Sequence, residues 1–240
     1  MYGNAMMLEN SRLMLRICPE EAIFALTDKR TGACFLQSPG EFGFRFADLT
    51  RAESALVFSL IQGSANLARC ELTLADNFVQ LSLEGMGPME ELAFPAAWRG
   101  QKGDLCLYPI GTGVCFPAED SEFPIPEWLD MVHGAHLSMA MWGMQRGNTV
   151  LFSVLKRCTD ARLHTLRPHG LPESGVVWLS QKGDWGYRRV MRFYLAGSVA
   201  EACACVRSWR EQLGYVRTLR EKMTHTPEVV KLLGAADIWL

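Results

Sequence analysis

"ARCELTLADNFVQLSLE", residues 68–84, alternates apolar and polar side chains twice, with a break in the middle. Ala68, Cys70, Leu72 and Leu74 fall on one face of an extended chain, and Arg69, Glu71 and Thr73 on the other. Asp76-Asn77 supplies a turn, after which Val79, Leu81 and Leu83 resume the apolar face against Gln80, Ser82 and Glu84. The stretch predicts a β-hairpin with one buried and one wet face, as antiparallel sheets require.

The pattern extends in both directions. Leu13, Leu15 and Ile17 alternate within "RLMLRI". Residues 22–27 continue into the turn Asp28-Lys29-Arg30-Thr31-Gly32, and residues 33–36 return. Later strands are predicted at 104–110, 136–141, 149–155, 161–166, 176–180 and 187–195. Many short strands parted by Gly and Pro turns, with no internal repeat, predict an antiparallel β-sandwich over residues 1–197.

From residue 198 the character changes. Ser198-Val199-Ala200-Glu201 is a capping box, predicting a helix that stops near Gly214. Thr218-Leu219-Arg220-Glu221 is a second one, and Thr226-Pro227 opens a third helical stretch closed by Gly234. The final "AADIWL", residues 235–240, reads as the start of a buried strand. Residues 198–240 are therefore expected to be a helical connector followed by the opening of a second domain of another class.

Bulk properties narrow the function classes. In 240 residues, 49% are apolar and 21% charged, ordinary values for a globular protein. A net charge of −2 gives no footprint for nucleic acid, and the basic "YRRVMR", residues 187–192, reads as a solvated strand face. No apolar run approaches the roughly 20 residues that cross a bilayer, so no membrane partner is expected. Met1 to Asn10 shows no secretory pattern, and the eight cysteines include no CxxC pair. They read as small buried hydrophobes in a reducing, cytoplasmic compartment.

Several stretches together resemble a known arrangement. "ENSRLMLRI" with "IFALTDKRTGACFLQSP" is similar to the opening of N-terminal β-supersandwich domains of the galactose-mutarotase-like kind. These precede the catalytic barrel in glycoside hydrolases related to endo-α-N-acetylgalactosaminidase and α-N-acetylgalactosaminidase. "LYPIGTGVCFPAED" resembles that family's Pro-x-Gly-x-Gly stretch, and "LSMAMWGMQRGNTVLFSVLKRCTDARL" its Met-rich strand, Gly turn and long apolar strand. "GYVRTLREKMTHTPEVVKLLGAADIW" resembles the passage from connector helices into the first barrel strand. The resemblance implies that residues 235–240 begin a (β/α)8 barrel that this chain lacks, and that the catalytic carboxylates lie in that barrel.

Candidate chemistry within the chain is sparse. Glycoside hydrolysis needs two carboxylates about 5–9 Å apart. The acidic cluster Glu119, Asp120 and Glu122 sits in the Pro-bounded "PAEDSEFPIP", where like charges favour solvent. A sugar epimerase would need a His and a Glu converging across a sheet. His133 and His136 point to opposite faces at their spacing, and His164 belongs to a later strand. No third ligand completes a metal site, and Gly111-Thr112-Gly113 lacks the rest of a dinucleotide fingerprint, so neither metal nor cofactor is expected. Cys203 and Cys205, two apart on a helix, share no face. Trp128, after the Pro-rich loop, and Trp142, in "MAMWG", are the best saccharide contacts, since pyranose C–H faces stack on flat rings.

The expected protein is an all-β supersandwich with a helical connector. It would serve as a non-catalytic N-terminal module of a glycoside hydrolase, with a carbohydrate and the catalytic barrel as partners. The 240-residue chain by itself is expected to be inactive, and apolar residues in 216–240 to promote self-association. Two alternatives remain open: a stand-alone carbohydrate-binding module, and an aldose-1-epimerase-like enzyme.

Overall fold

Apolar alternation builds the first sheet. Strands β1 (Met6–Glu9), β2 (Leu13–Cys18), β3 (Ile23–Asp28) and β4 (Cys34–Leu36) pair antiparallel in that order. Leu13, Leu15 and Ile17 are buried, as the pattern predicts. At the β3–β4 turn Gly32 takes φ +77°, and its N–H donates to the Asp28 carbonyl at 2.8 Å. The Asp28 carboxylate accepts from the Arg30 N–H at 2.9 Å, so the loop is tied by the residue that opens it.

This computed structural model describes residues 6–87, 89–131, 136–180 and 185–234. Strands β5 (Phe44–Ala52), β6 (Ala55–Gln62), β7 (Ala65–Leu74) and β8 (Phe78–Gly85) follow as a meander. The predicted hairpin is β7–β8, with Leu74 opposite Val79, Leu72 opposite Leu81 and Cys70 opposite Leu83. Then come β9 (Glu91–Leu92), β10 (Trp98–Arg99), β11 (Leu105–Tyr108), β12 (Val114–Pro117) and β13 (Trp128–Asp130). The series ends with β14 (Met141–Arg146), β15 (Thr149–Leu155), β16 (Ala161–Leu166), β17 (Glu173–Leu179) and β18 (Arg189–Ala196).

These strands form two further antiparallel sheets. One has nine strands, in the order β12-β11-β14-β15-β18-β8-β7-β6-β5. The other runs β10-β17-β16-β13, with β9 also paired to β17. All three sheets bury side chains in one hydrophobic core. Across it Phe24 meets Phe193 edge-on, and Trp98 meets Phe193 with centroids 5.3 Å apart. Tyr108 and Ser174 share a buried hydroxyl hydrogen bond of 2.5 Å between the nine- and five-stranded sheets. The fold is a mainly β, antiparallel sandwich with helices at its C-terminal end.

Three local expectations are corrected. Residues 136–141 are not a strand. Leu137 makes only an isolated bridge to Ile110, and the Ser138 N–H and Oγ both donate to the Pro109 carbonyl at 2.8 Å, holding a loop. The strand instead occupies Met141–Arg146, ending at the Gly147 turn with φ +55°. The basic 187–192 stretch is not a uniformly wet face. Arg188 is exposed and paired with Glu71, but Arg189 is buried, with its Nε donating to Asp160 at 2.8 Å. Its guanidinium lies 4.4 Å from the Trp185 ring centroid and 3.9 Å from that of Tyr187. Burial is tolerable because the charge is both paired and packed on aromatic faces. Finally, β17 starts at Glu173 rather than residue 176.

The chain divides into two compact units, Met1–Ala202 and Cys203–Leu240, with the boundary inside helix α1 (Val199–Gln212). One limb of the first capping box is present: Ser198 Oγ accepts from the Glu201 N–H at 3.1 Å. The Glu201 carboxylate accepts instead from the Gly197 N–H at 2.8 Å and from Arg12 Nη2 at 2.9 Å. The Arg12 guanidinium holds the Glu201 carboxyl below its ordinary range. In the second unit, α2 (Leu219–His225) has both limbs of its capping box, between Thr218 and Glu221. The third helical stretch is a 3-10 helix, Pro227–Leu232, followed by Gly234 at φ +76°. The strand expected at 235–240 lies outside the described residues. Among the described residues no helix is long and apolar enough to cross a membrane.

Candidate functional site: a recess on the five-stranded sheet

Strict alternation in β16 and β17 creates two different faces. Ala161, Leu163, Val176 and Trp178 join the core. Arg162, His164 and Leu166, with Glu173, Gly175 and Val177, point the other way. Register places His164 beside Gly175, and Leu166 beside Glu173. On the other side of β16, Trp128 lies opposite His164 and Asp130 opposite Arg162.

Two loops rise over this outer face, residues 38–42 and 93–97. They are fastened to each other by the Ser38 N–H donating to the Ala97 carbonyl at 2.8 Å. The second is fastened to the sheet by Trp178 Nε1 donating to the Phe94 carbonyl at 2.7 Å. Gly175 makes their approach possible, because a Cβ there would lie 3.0 Å from Ala97 Cα. The result is a recess of about 410 Å³, within the range of small-molecule sites.

Its lining combines apolar walls with a few polar groups. Phe42, Pro95 and Leu166 face His164, His169 and Glu173. Phe42 is 51% exposed, and its ring is steadied by stacking on Phe44 with centroids 5.4 Å apart. Glu173, whose side chain is 13% exposed, has Arg99 Nε 3.5 Å from Oε1. His164 Nε2 lies 3.3 Å from Glu127 Oε1. His169 sits at φ +57°, a left-handed conformation uncommon outside glycine, at the lip of the recess. Among charged lining residues, Arg99 stands against Glu41 and Glu173, so the recess offers no surplus of positive charge.

The residues expected from sequence are distributed as follows. Trp128 is half-buried beside the recess, its ring stacked on His164 and approached by the Arg162 guanidinium at 4.0 Å. Trp142 is 2% exposed and belongs to the core, so it and Trp128 do not form a common platform. His136 Nδ1 accepts from the Asp130 N–H at 3.0 Å, which occupies it structurally. His133 lies outside the described residues. Two of the acidic loop carboxylates bind backbone, Glu119 accepting from the Gly103 N–H of an earlier turn and Asp120 from the Glu122 N–H. Among the described residues no three His, Cys, Asp or Glu side chains converge as metal ligands. Burial pushes the Cys106 thiol up to about 12, and that of Cys70 higher still, so neither is an activated nucleophile.

Glu173, His169 and Phe42 were not singled out from sequence. "ESGVVWL" carries a signal for the first, since Glu173, Gly175 and Val177 alternate with Ser174, Val176 and Trp178. Phe42, in the loop "SPGEFGF", has no periodic pattern to mark it.

No protein-family profile matches the chain, and no curated protein sequence matches it. Solved structures do. The quadruple mutant of α-N-acetylgalactosaminidase NagBb from Bifidobacterium bifidum superposes with a TM-score of 0.74 at 17% identity, over 96% of this chain and 43% of that one. The GalNAc complex of the same enzyme gives 0.72 and 17%, over 93% and 41%. The Gal-NHAc-DNJ complex gives 0.73 and 18%, over 96% and 42%. The chain spans less than half the length of the solved chains it matches, and it has the fold of a part of that glycoside hydrolase.

Proposed function

We propose that this chain is a non-catalytic N-terminal module of a carbohydrate-active glycoside hydrolase, of galactose-mutarotase-like supersandwich type. Residues 1–197 form its β body, and residues 198–240 lead into a catalytic barrel. The observation that carries the reading is the asymmetry of the likeness: nearly all of this chain, under half of an α-N-acetylgalactosaminidase. Mechanically, the module buries one side of the barrel and lends a loop to the rim of its cleft. Exposed Tyr215, Leu219, Val230, Leu232 and Leu233 in the second unit support a surface for an apolar partner. Trp128 is the sugar contact this reading retains, at the edge of the recess.

The test compares the 240-residue chain with a protein extended along the reading frame beyond Leu240, both assayed on 4-nitrophenyl N-acetyl-α-galactosaminide. Turnover is expected from the extended protein alone. Turnover by the shorter chain that disappears when one of its own carboxylates is replaced would overturn the reading.

One observation favours a second reading, an aldose-1-epimerase-like enzyme. His164 and Glu173 line the same recess, the pairing that an acid and a base at an anomeric centre require. Polarimetry on freshly dissolved galactose separates the two readings. A mutarotation rate raised by the chain and abolished in H164A would favour the enzyme.

A further inference from the structure

We propose that the recess over β16 and β17 binds a neutral saccharide of one or two rings, with Glu173 and His164 as its hydrogen-bonding partners and Phe42 and Leu166 against its C–H face. The choice of ligand rests on the carbohydrate reading above, and the place on the recess alone.

The recess is preformed. Its floor at Gly175 is main chain, and the loop above it is pinned by the Trp178 indole and by the Ser38–Ala97 hydrogen bond. A ligand entering it orders little that is not already ordered.

The polar groups discriminate between occupants. Glu173 is mostly buried, yet its partner Arg99 stands at 3.5 Å, beyond the usual 2.7–3.2 Å of an N–H···O bond. A carboxylate accepts at both oxygens, so among the described residues most of its capacity is unused. A wholly apolar occupant would strip water from Glu173 and Arg99 and return nothing. A phosphate or carboxylate would meet Glu173 and Glu41, with Arg99 as the sole lining arginine among the described residues. A neutral polyol offers O–H donors to the carboxylate and to the imidazole, and keeps a C–H face for the Phe42 ring and the Leu166 side chain. Both of these apolar groups are largely exposed, 51% and 45%.

The test is an amide-shift titration of the isotopically labelled chain with N-acetylgalactosamine, galactose and lactose, with inorganic phosphate as the counter-probe. Millimolar sugar is expected to shift the amides of Gly175, Leu166 and His169. E173Q should weaken binding about tenfold through loss of a charged acceptor. F42A alters only an exposed lip, so it is expected to fold normally and weaken binding as well. The proposal is overturned if no sugar shifts these amides, if the shifts survive both substitutions, or if phosphate binds in place of sugar. The hydrolysis assay is independent of this result. Sugar binding without turnover in the extended protein would remove the hydrolase reading and leave the site. Turnover without sugar shifts would do the reverse.

Discussion

Trp128 and His164 face each other across the β13–β16 pair, with ring centroids 4.0 Å apart and planes 14° from parallel. The Arg162 guanidinium lies 4.0 Å from the same indole. Neighbours two apart on one strand thus share a single aromatic from the next, and this ring adds to the ladder pairing and the buried Leu129 that hold the three-residue β13 on the sheet edge. Removing it in W128A is expected to lower stability by about 2 kcal/mol, from lost burial, stacking and the cation–π contact. W128F should recover more than half. Urea unfolding of the three proteins checks both values.

Asp160 and Arg189 form a second junction, with side chains 6% and 1% exposed. D160A leaves a buried guanidinium without its carboxylate and is expected to cost about 3–4 kcal/mol. A loss below about 1 kcal/mol in urea unfolding would show that the surrounding rings suffice for the charge.

Gly143 predicts a steric failure. A Cβ at this position would overlap the Phe152 ring and the Leu151 carbonyl on the neighbouring strand. One of those contacts is main chain, so a rotamer change cannot relieve it. G143A is expected to destabilise by about 3 kcal/mol, whereas G147A, at a turn with open space, should cost less than half as much. Thermal unfolding of the pair decides between them.

Acid stability should depend on Asp28. Burial alone would raise its carboxyl, but hydrogen bonds from the Arg30 side chain and backbone win and hold it below 3.8. The folded state therefore binds this proton only at lower pH than the unfolded state does. The stabilisation is complete above about pH 4 and is lost as pH falls through the depressed value. D28N should start less stable and lose less between about pH 4 and pH 2 than the parent, as measured by urea midpoints.

The cysteines should separate by burial. Cys115 and Cys203 are exposed and are expected to react with Ellman's reagent in the native protein. Cys18, Cys70 and Cys106 are buried, with thiols that burial pushes up, and should react only on unfolding. Reaction of Cys70 at the rate of Cys115 would mean that the β7–β8 hairpin opens readily.

Much of this sandwich was legible because its strands are wet on one side. The alternation around Cys70 and Leu81 located both strands of a hairpin and assigned their faces, and the Thr218–Glu221 capping box located a helix start. The misreadings have a common physical origin. Apolar side chains at residues 137–141 looked strand-like, but the adjacent Ser138 found a carbonyl at Pro109, a partner 29 residues away that local pattern does not encode. Arg189 looked solvated until Asp160, Trp185 and Tyr187 were brought around it. The recess was illegible for the same reason. Its lip comes from residues 38–42, its roof from 93–97 and its floor from 164–177, segments joined only by tertiary packing. Trp128 was singled out because a ring beside prolines is conspicuous, and Glu173 was passed over because a lone acid on a strand is not.

Gly175 leaves the bottom of the recess as bare polypeptide, over which Ala97 passes closely. Depth is therefore a property of the scaffold, and the polar pair Glu173 and His164 stands on its strands, while Phe42 and His169 form a replaceable fringe. Relatives of this chain could exchange those fringe residues for others of quite different polarity and inherit a cup of the same dimensions, whereas a side chain gained at position 175 would press on Ala97 and push the covering segment outward.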